Sequence, residues 1–263
     1  MSLAGKSVVV TGGAAGIGRY IARGCAERGA HVTIGDLDGT MLASAASELE
    51  AFGNGAVAVS CDVRVEADAD ALIAAATDAF GTVDYLVNNA GIAPQTKWRP
   101  PWPFFREMDV ELWKKVFDTN LKGLFLCSKA VIPHMEAQRS GHIVNVHSWQ
   151  AGEAWNTAAL YVMSKKSALL FTRYLAEQER EFGICVMSIV PGGAFATESA
   201  PDELRESWVG PEIAGDRYFK AIDAPMSLSG RLISVSDGHL VPIDYNFEAE
   251  TMPERATPPR ALP

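Results

Sequence analysis

Ser7-Val8-Val9-Val10-Thr11-Gly12-Gly13-Ala14-Ala15-Gly16-Ile17-Gly18 is the stretch on which the reading of this chain turns. Its first five residues form the β-branched, apolar run of a fully buried strand. Glycines at 12, 16 and 18 then permit a tight turn and let the backbone approach a bound pyrophosphate closely. Gly16 to about Arg28 reads as a helix, whose N-terminus offers free N–H groups and the positive end of its dipole to an anion. A glycine-rich turn alone carries little, since any tight turn uses glycine. Here a strand precedes it, a helix follows, and an acid, Asp36, ends the next strand about 20 residues on. The three together predict a dinucleotide site. A carboxylate at Asp36 can accept hydrogen bonds from both hydroxyls of an adenosine ribose, and it repels a 2′-phosphate. No Arg or Lys lies between Gly12 and Gly18, and Leu37 rather than a base follows Asp36. The expected cofactor is therefore NAD(H), not NADP(H). Asp38 lies too far past the strand to compete for the role.

Outward from this turn, short β-branched runs alternate with longer helical segments. Strands are expected at Ser7–Thr11, His31–Asp36, Ala56–Ser60, Val83–Asn88, His142–His147, Ile184–Val190 and, briefly, Leu232–Val235. Helices are expected at Gly16–Arg28, Met41–Phe52, Ala67–Phe80, and as two long elements, Val110–Gln138 and Ala158–Phe182. Apolar strands alternating with helices predict an α/β fold, a doubly wound, mostly parallel seven-stranded sheet covered on both faces. One domain over residues 1–243 is expected, with capping loops at about 94–108 and 193–225. The acidic, proline-rich tail at 244–263 is open to two readings, frayed or packed on a neighbouring subunit.

Bulk properties exclude several function classes. The 263 residues carry a formal net charge of −9. A nucleic-acid partner is unexpected, because binding one needs a basic stripe that releases counterions. No apolar run reaches the roughly 18 residues of a membrane span, and the N-terminus lacks the charged start and apolar core of a signal peptide. Cys25, Cys61, Cys127 and Cys185 are widely spaced and form no C-x-x-C pair. They are expected to be buried free thiols in a cytoplasmic protein. The five histidines show no metal-ligand spacing, so no metal is expected.

The spacing T-G-x-x-x-G-x-G at Thr11–Gly18 resembles the short-chain dehydrogenase/reductase family, and further motifs match in order. Cys61-Asp62-Val63 follows the third strand, and Asn88-Asn89-Ala90-Gly91 the fourth. Asn120 lies in Thr119–Gly123, and Ser148 follows the fifth strand. Tyr161-Val162-Met163-Ser164-Lys165 comes 13 residues after Ser148, and Pro191-Gly192 follows the sixth strand. The resemblance spans roughly residues 5–240 and implies a Rossmann-like fold. It implies that Asp62 and Val63 line an adenine pocket, and that Asn88–Gly91 stabilise the sheet and abut the cofactor. It further implies that Ile17, Leu37 and Ala194 take part in cofactor binding, and that Lys165 holds the nicotinamide ribose. Asn120 is implied to fix a water of a proton relay. One departure stands out. The family's P-G-x-V-x-T appears as Pro191-Gly192-Gly193-Ala194-Phe195-Ala196-Thr197, which puts the threonine one residue late and leaves its usual nicotinamide contact open. The stretch after Thr197 is short, so a small lid is expected.

The residue chemistry agrees with the resemblance. Hydride transfer to a ketone leaves an alkoxide that needs a proton, and the reverse reaction needs that proton removed. Tyrosine, with a pKa near 10, is a poor base at neutral pH unless a cation favours its anion. Tyr161 and Lys165 are i and i+4 on one helix face. Tyr161 is therefore the expected general acid/base, with its pKa lowered by Lys165. Ser148 ends its strand at the carboxyl edge, where ligands bind in such sheets. There it can hold the substrate oxygen near Tyr161. A Ser–His hydrolase is excluded, because Ser148 directly follows His147 and lacks a G-x-S-x-G elbow.

Trp98, Trp102 and neighbouring rings, with Trp149, Gln150, Trp155 and Phe195, are candidates for an apolar substrate pocket, and Trp208 also follows the sixth strand. These rings equally suit a core or a subunit contact. The expected reaction interconverts a secondary alcohol and a ketone on an apolar or ring-containing small molecule. A 3-oxoacyl-thioester reductase and a catalytically idle NAD(H)-sensing or scaffold protein are the alternatives. The long helices carry large apolar residues on more than one face, and related enzymes pair them, so a homodimer or homotetramer is expected.

Overall fold

The computed structural model describes residues 2–93, 105–148, 159–190, 195–197, 205–206, 208–222, 224–236 and 239–243. The β-branched runs form strands β1 (Ser7–Thr11), β2 (His31–Asp36), β3 (Ala56–Ser60), β4 (Tyr85–Asn88), β5 (Gly141–Val146), β6 (Ile184–Val190), β7 (Leu232–Ser236) and β8 (His239–Ile243). They lie in one sheet in the order β3-β2-β1-β4-β5-β6-β7-β8. Neighbours from β3 through β7 pair in parallel, and β8 returns antiparallel to β7. The strand order reverses between β1 and β4, which opens a crevice at the carboxyl edge between them.

Among the described residues the sheet has eight strands, one more than expected. The eighth, His239-Leu240-Val241-Pro242-Ile243, contains a proline and no buried residue. Proline cannot donate to a ladder, and an edge strand is where a sheet tolerates that.

Alternation along each strand splits the core into two layers. Val8 and Val10 join one cluster with residues of α1 (Gly16–Glu27), α2 (Gly39–Glu50) and the helix Pro211–Ile222. Val9 joins the other, with residues of α3 (Glu66–Phe80), α5 (Gly123–Gln138) and α6 (Ala159–Gln178). Asp38, excluded above as a ribose ligand, caps α2 by accepting from Thr40 N and Met41 N.

Two helical expectations are corrected. The segment 110–138 is not one α-helix: α4 (Val110–Phe117) and α5 are joined by a π-turn at Asp118–Lys122. Residues after Thr197 are not only capping loop. Pro211–Ile222, here α7, packs on α1, and the Arg28 guanidinium lies 4.0 Å from the centre of the Phe219 ring. No helix among the described residues is long and apolar enough to cross a membrane. All four cysteines are buried and free.

Candidate active site

The glycine turn closes on backbone contacts. Gly12 and Gly16 have φ of +63° and +53°, which a side chain rarely permits. A Cβ at Gly18 would stand 2.0 Å from the Gly12 carbonyl and 2.4 Å from Asn89 Nδ2. Asn89 ties the turn to β4: its Nδ2 donates to the Thr11 and Gly12 carbonyls, and its N–H donates to Thr11 Oγ1 at 3.0 Å. Ala90 N also donates to Thr11 Oγ1. The N-cap residue of α1, Ala15, makes no side-chain capping bond, and no acid stands in the first turn of the helix. The positive end of its dipole is thus presented at the carboxyl edge, as a phosphate site requires.

Asp36 ends β2 beside this turn. Its Oδ2 accepts from Ala14 N at 3.0 Å and its Oδ1 from Leu37 N at 2.7 Å, while the Leu37 side chain is exposed. Asp62 is gripped by Arg64 through both carboxylate oxygens, which holds its carboxyl below the usual range. Val63 is buried against Gly123, and Ile17 packs on the first core layer. Asn88 departs from a cofactor role. Its buried carboxamide donates to Ser128 Oγ and Asn145 Oδ1, joining β4 to β5 and α5. Thr197, despite its late position, is buried beside Gly16, where an added Cβ would meet its side chain at 3.9 Å.

At the other end of the edge, β5 delivers Ser148 and the first turn of α6 delivers Tyr161, whose phenol is hydrogen-bonded to the Ser148 side chain. Lys165, one turn on, is buried. Its Nζ donates to the Val146 carbonyl at 2.8 Å and lies 5.7 Å from the centre of the Tyr161 ring. Burial pulls the ammonium down to about 8. The Tyr161 phenol corrects an expectation. Burial raises its pKa, and the opposing pull comes from the Ser148 hydrogen bond. A lysine itself weakened as a cation by burial does not reverse this.

The π-turn explains Asn120. Its Oδ1 accepts from Ile92 N at 2.8 Å, and its Nδ2 donates to the Ile92 carbonyl at 2.9 Å and to Ser164 Oγ at 3.0 Å. Both amide hydrogens are thereby used. The bulged backbone lets one side chain pair with the segment after β4 as an adjacent strand would. A Cβ at Gly91 would meet both Asn120 Oδ1 and Lys165 Nζ, at 3.2 and 3.6 Å, so these two atoms converge on one small space.

His147 had no sequence signal beyond its place before Ser148. It is buried, with Nε2 at 2.7 Å from the Lys165 carbonyl and Nδ1 at 3.0 Å from the Ser148 carbonyl. Burial, then the nearby Lys165, pushes its pKa down to about 4. A neutral imidazole has one N–H, and the shorter contact assigns it to the Lys165 carbonyl. His147 thus clamps the end of β5 to α6.

Phe195, a pocket candidate, is buried in the first core layer, and its backbone bridges to Val209. Its ring therefore packs the core rather than an open pocket. Trp98, Trp102, Trp149, Gln150, Trp155, Pro191, Gly192 and Ala194 lie outside the described residues.

A family model described as short chain dehydrogenase matches residues 6–206. The chain is 32% identical over 250 residues to 5-keto-D-gluconate 5-reductase from Escherichia coli (strain K12), covering 92% of this chain and 95% of that one. It is 32% identical over 246 residues to the 3-oxoacyl-(acyl-carrier-protein) reductase FabG of Staphylococcus aureus (strain N315), covering 89% and 97%. Among solved structures, an actinorhodin polyketide ketoreductase variant crystallised with NADPH superimposes with a TM-score of 0.77 at 29% identity, covering 89% of this chain and 96% of that one. With a glycine turn at the start of α1, a Ser148–Tyr161–Lys165 cluster and these likenesses, the chain belongs to the short-chain dehydrogenase family, whose members are oxidoreductases that use nicotinamide cofactors.

Proposed function

We propose that this protein is an NAD(H)-dependent oxidoreductase that interconverts a secondary alcohol and a ketone on an apolar or ring-containing small molecule. The observation that carries this is the hydrogen-bonded Ser148–Tyr161 pair beside the buried Lys165. The nicotinamide cofactor, when bound, supplies or accepts the hydride at the carbinol carbon. The N-terminus of α1 with Gly12, Gly16 and Gly18 would hold its pyrophosphate, Asp36 its adenosine ribose, and Lys165 its nicotinamide ribose.

In the reducing direction, Ser148 donates a hydrogen bond to the substrate oxygen, and Tyr161 gives that oxygen its proton. In the oxidising direction, Tyr161 takes the proton from the alcohol. Raised by burial, the free phenol is protonated at neutral pH, which suits the acid role directly. The base role requires added positive charge, supplied by Lys165 below about pH 8 and by the oxidised cofactor. Asn120 and Lys165, converging beside Gly91, form the exit for the proton.

Asp36 supports NAD(H) over NADP(H), since a 2′-phosphate would meet its carboxylate. The ring-rich segments at 98–105 and 149–155 motivate the apolar substrate. A panel of secondary alcohols and ketones, assayed with NAD and with NADP, tests both statements. Turnover confined to small polar sugars would remove the substrate reading, and equal use of NADP would remove the cofactor reading. The likeness to a 3-oxoacyl-(acyl-carrier-protein) reductase favours one second reading, an acyl-thioester reductase, which the same panel detects if it includes a 3-oxoacyl thioester. Trp113, Phe125, Leu170 and Tyr174 are large and exposed on α4, α5 and α6. They support a homodimer or homotetramer, readable by sedimentation at micromolar concentration.

A further inference from the structure

Two bonds join the end of β5 to α6, and they run in opposite senses. Lys165 Nζ donates to the Val146 carbonyl at 2.8 Å, a side chain of the helix reaching the strand. His147 Nε2 stands 2.7 Å from the Lys165 carbonyl, a side chain at the strand's end reaching the helix. Its Nδ1 lies 3.0 Å from the Ser148 carbonyl. The backbone N–H of His147 donates to the Ile189 carbonyl at 2.8 Å, so the ring springs from a residue anchored to β6. One imidazole thus touches the backbone of both Ser148 and Lys165.

The two bonds are not equivalent. Lys165 Nζ belongs to the group that is also engaged with the nicotinamide ribose and with the charge beside Tyr161 in the reaction proposed above. The imidazole has no such duty. The residue is 3% exposed, and both ring nitrogens face carbonyls of the chain itself, so no ligand competes for them. Reacting groups hold their geometry when bonds behind them lock their backbone. The Lys165 carbonyl lies one helical turn beyond Tyr161, and Ser148 follows His147 directly. The Nε2 bond therefore spans the two elements that carry the hydroxyl groups of the site.

We propose that His147 is a positioning residue for the alcohol–ketone reaction, which sets the spacing between Ser148 and Tyr161 by donating from Nε2 to the Lys165 carbonyl. It touches neither substrate nor cofactor. The inference rests on the reaction proposed above and adds a residue that the motif pattern does not contain.

Two amides separate this role from bulk packing. His147→Gln places an N–H donor near the position of Nε2. His147→Asn, one carbon shorter, reaches only as far as Nδ1. Measured on each are kcat and KM for the ketone of the panel above that the parent reduces fastest, NADH affinity by calorimetry, and the Tm without ligand. For His147→Asn, kcat should fall about thirty- to a hundredfold, the cost of a misplacement of about 1 Å, while KM and NADH affinity stay within about twofold. His147→Gln should keep kcat within about fivefold of the parent. The ligand-free parent supplies a readout that needs no variant: nitrogen NMR of isotope-labelled histidine at neutral pH should show His147 as the Nε2–H tautomer. Equal kcat in the parent and His147→Asn overturns the proposal. So do an equal loss of kcat in both variants, a loss of NADH affinity as large as that of kcat, and an Nδ1–H tautomer. A parent that binds NADH but reduces no ketone, or that binds no NADH, overturns the proposed reaction first, and this inference with it.

Discussion

At the nucleotide end of the carboxyl edge, backbone packs on backbone: Gly18 against the Gly12 carbonyl, Asn89 against the Thr11 and Gly12 carbonyls, and Asp36 against Ala14 N. At the catalytic end, side chains hold side chains. Asn120 reaches Ser164, His147 clamps β5 to α6, and Lys165 is buried under Val146 with its charge weakened. The first end depends on steric clearance and is indifferent to pH over the neutral range. The second depends on buried titratable groups, so its stability and activity should follow their protonation.

The sharpest break in this comparison is Tyr161→Phe. Losing a general acid/base costs about a thousandfold in turnover. Because the nucleotide end is held separately, NADH affinity should change less than about threefold on the same scale. Turnover that survives the change would sink the mechanism, and loss of NADH binding with it would show that the two ends are not independent.

Next in size is the pH dependence of stability at the catalytic end. His147 stays neutral in the folded protein down to about pH 4, whereas in the unfolded chain it takes up a proton near pH 6.5. Between those values the unfolded state binds more protons. The contribution is therefore complete above pH 6.5 and is lost as pH falls toward 4, amounting to up to about 3 kcal/mol. His147→Gln keeps a donor for the Lys165 carbonyl and should flatten the urea midpoint between pH 4 and 7. An unchanged acid slope would place the sensitivity elsewhere.

At the nucleotide end, Gly18→Ala inserts a methyl 2.0 Å from the Gly12 carbonyl. It should lower stability by about 1–3 kcal/mol, with no pH dependence, because overpacking against backbone has no flexible neighbour to yield. Urea unfolding at pH 5 and pH 8 would show this: a loss that differs between them contradicts the steric account. The smallest effect is expected of Asp36→Asn, which keeps an acceptor for Ala14 N and removes the charge. The preference for NADH over NADPH should fall about tenfold, the size of one modest charge interaction. An unchanged ratio of kcat/KM values would show that Asp36 does not choose the cofactor.

Much of the nucleotide end was legible from the chain because it is local. Gly12, Gly16 and Gly18 lie within seven residues, and strand, turn and helix follow one another without interruption. Asp38 was separated from Asp36 on position alone, and it proves to be a helix cap. The catalytic end was legible only as residue types at spacings. Tyr161 and Lys165 share a helix face by periodicity, yet the direction of the Tyr161 shift was misjudged, because burial is a property of the folded whole. Asn120 was placed in a straight helix, since the π-turn arises from its bonds to Ile92, 28 residues away. The strand β8 was hidden by Pro242, and α7 by its mixed composition.

The sequence by itself determined the alternation of buried strands and covering helices, the phosphate-binding turn and the Tyr161–Lys165 pair, because each follows from periodicity or from the freedom of glycine over a few residues. Only the tertiary structure decided that Asn88 serves the sheet, that Thr197 returns to Gly16, and that His147 clamps Ser148 to Lys165. Those contacts join residues far apart in the chain. Their partners and their desolvation exist only once the two layers have closed on the sheet.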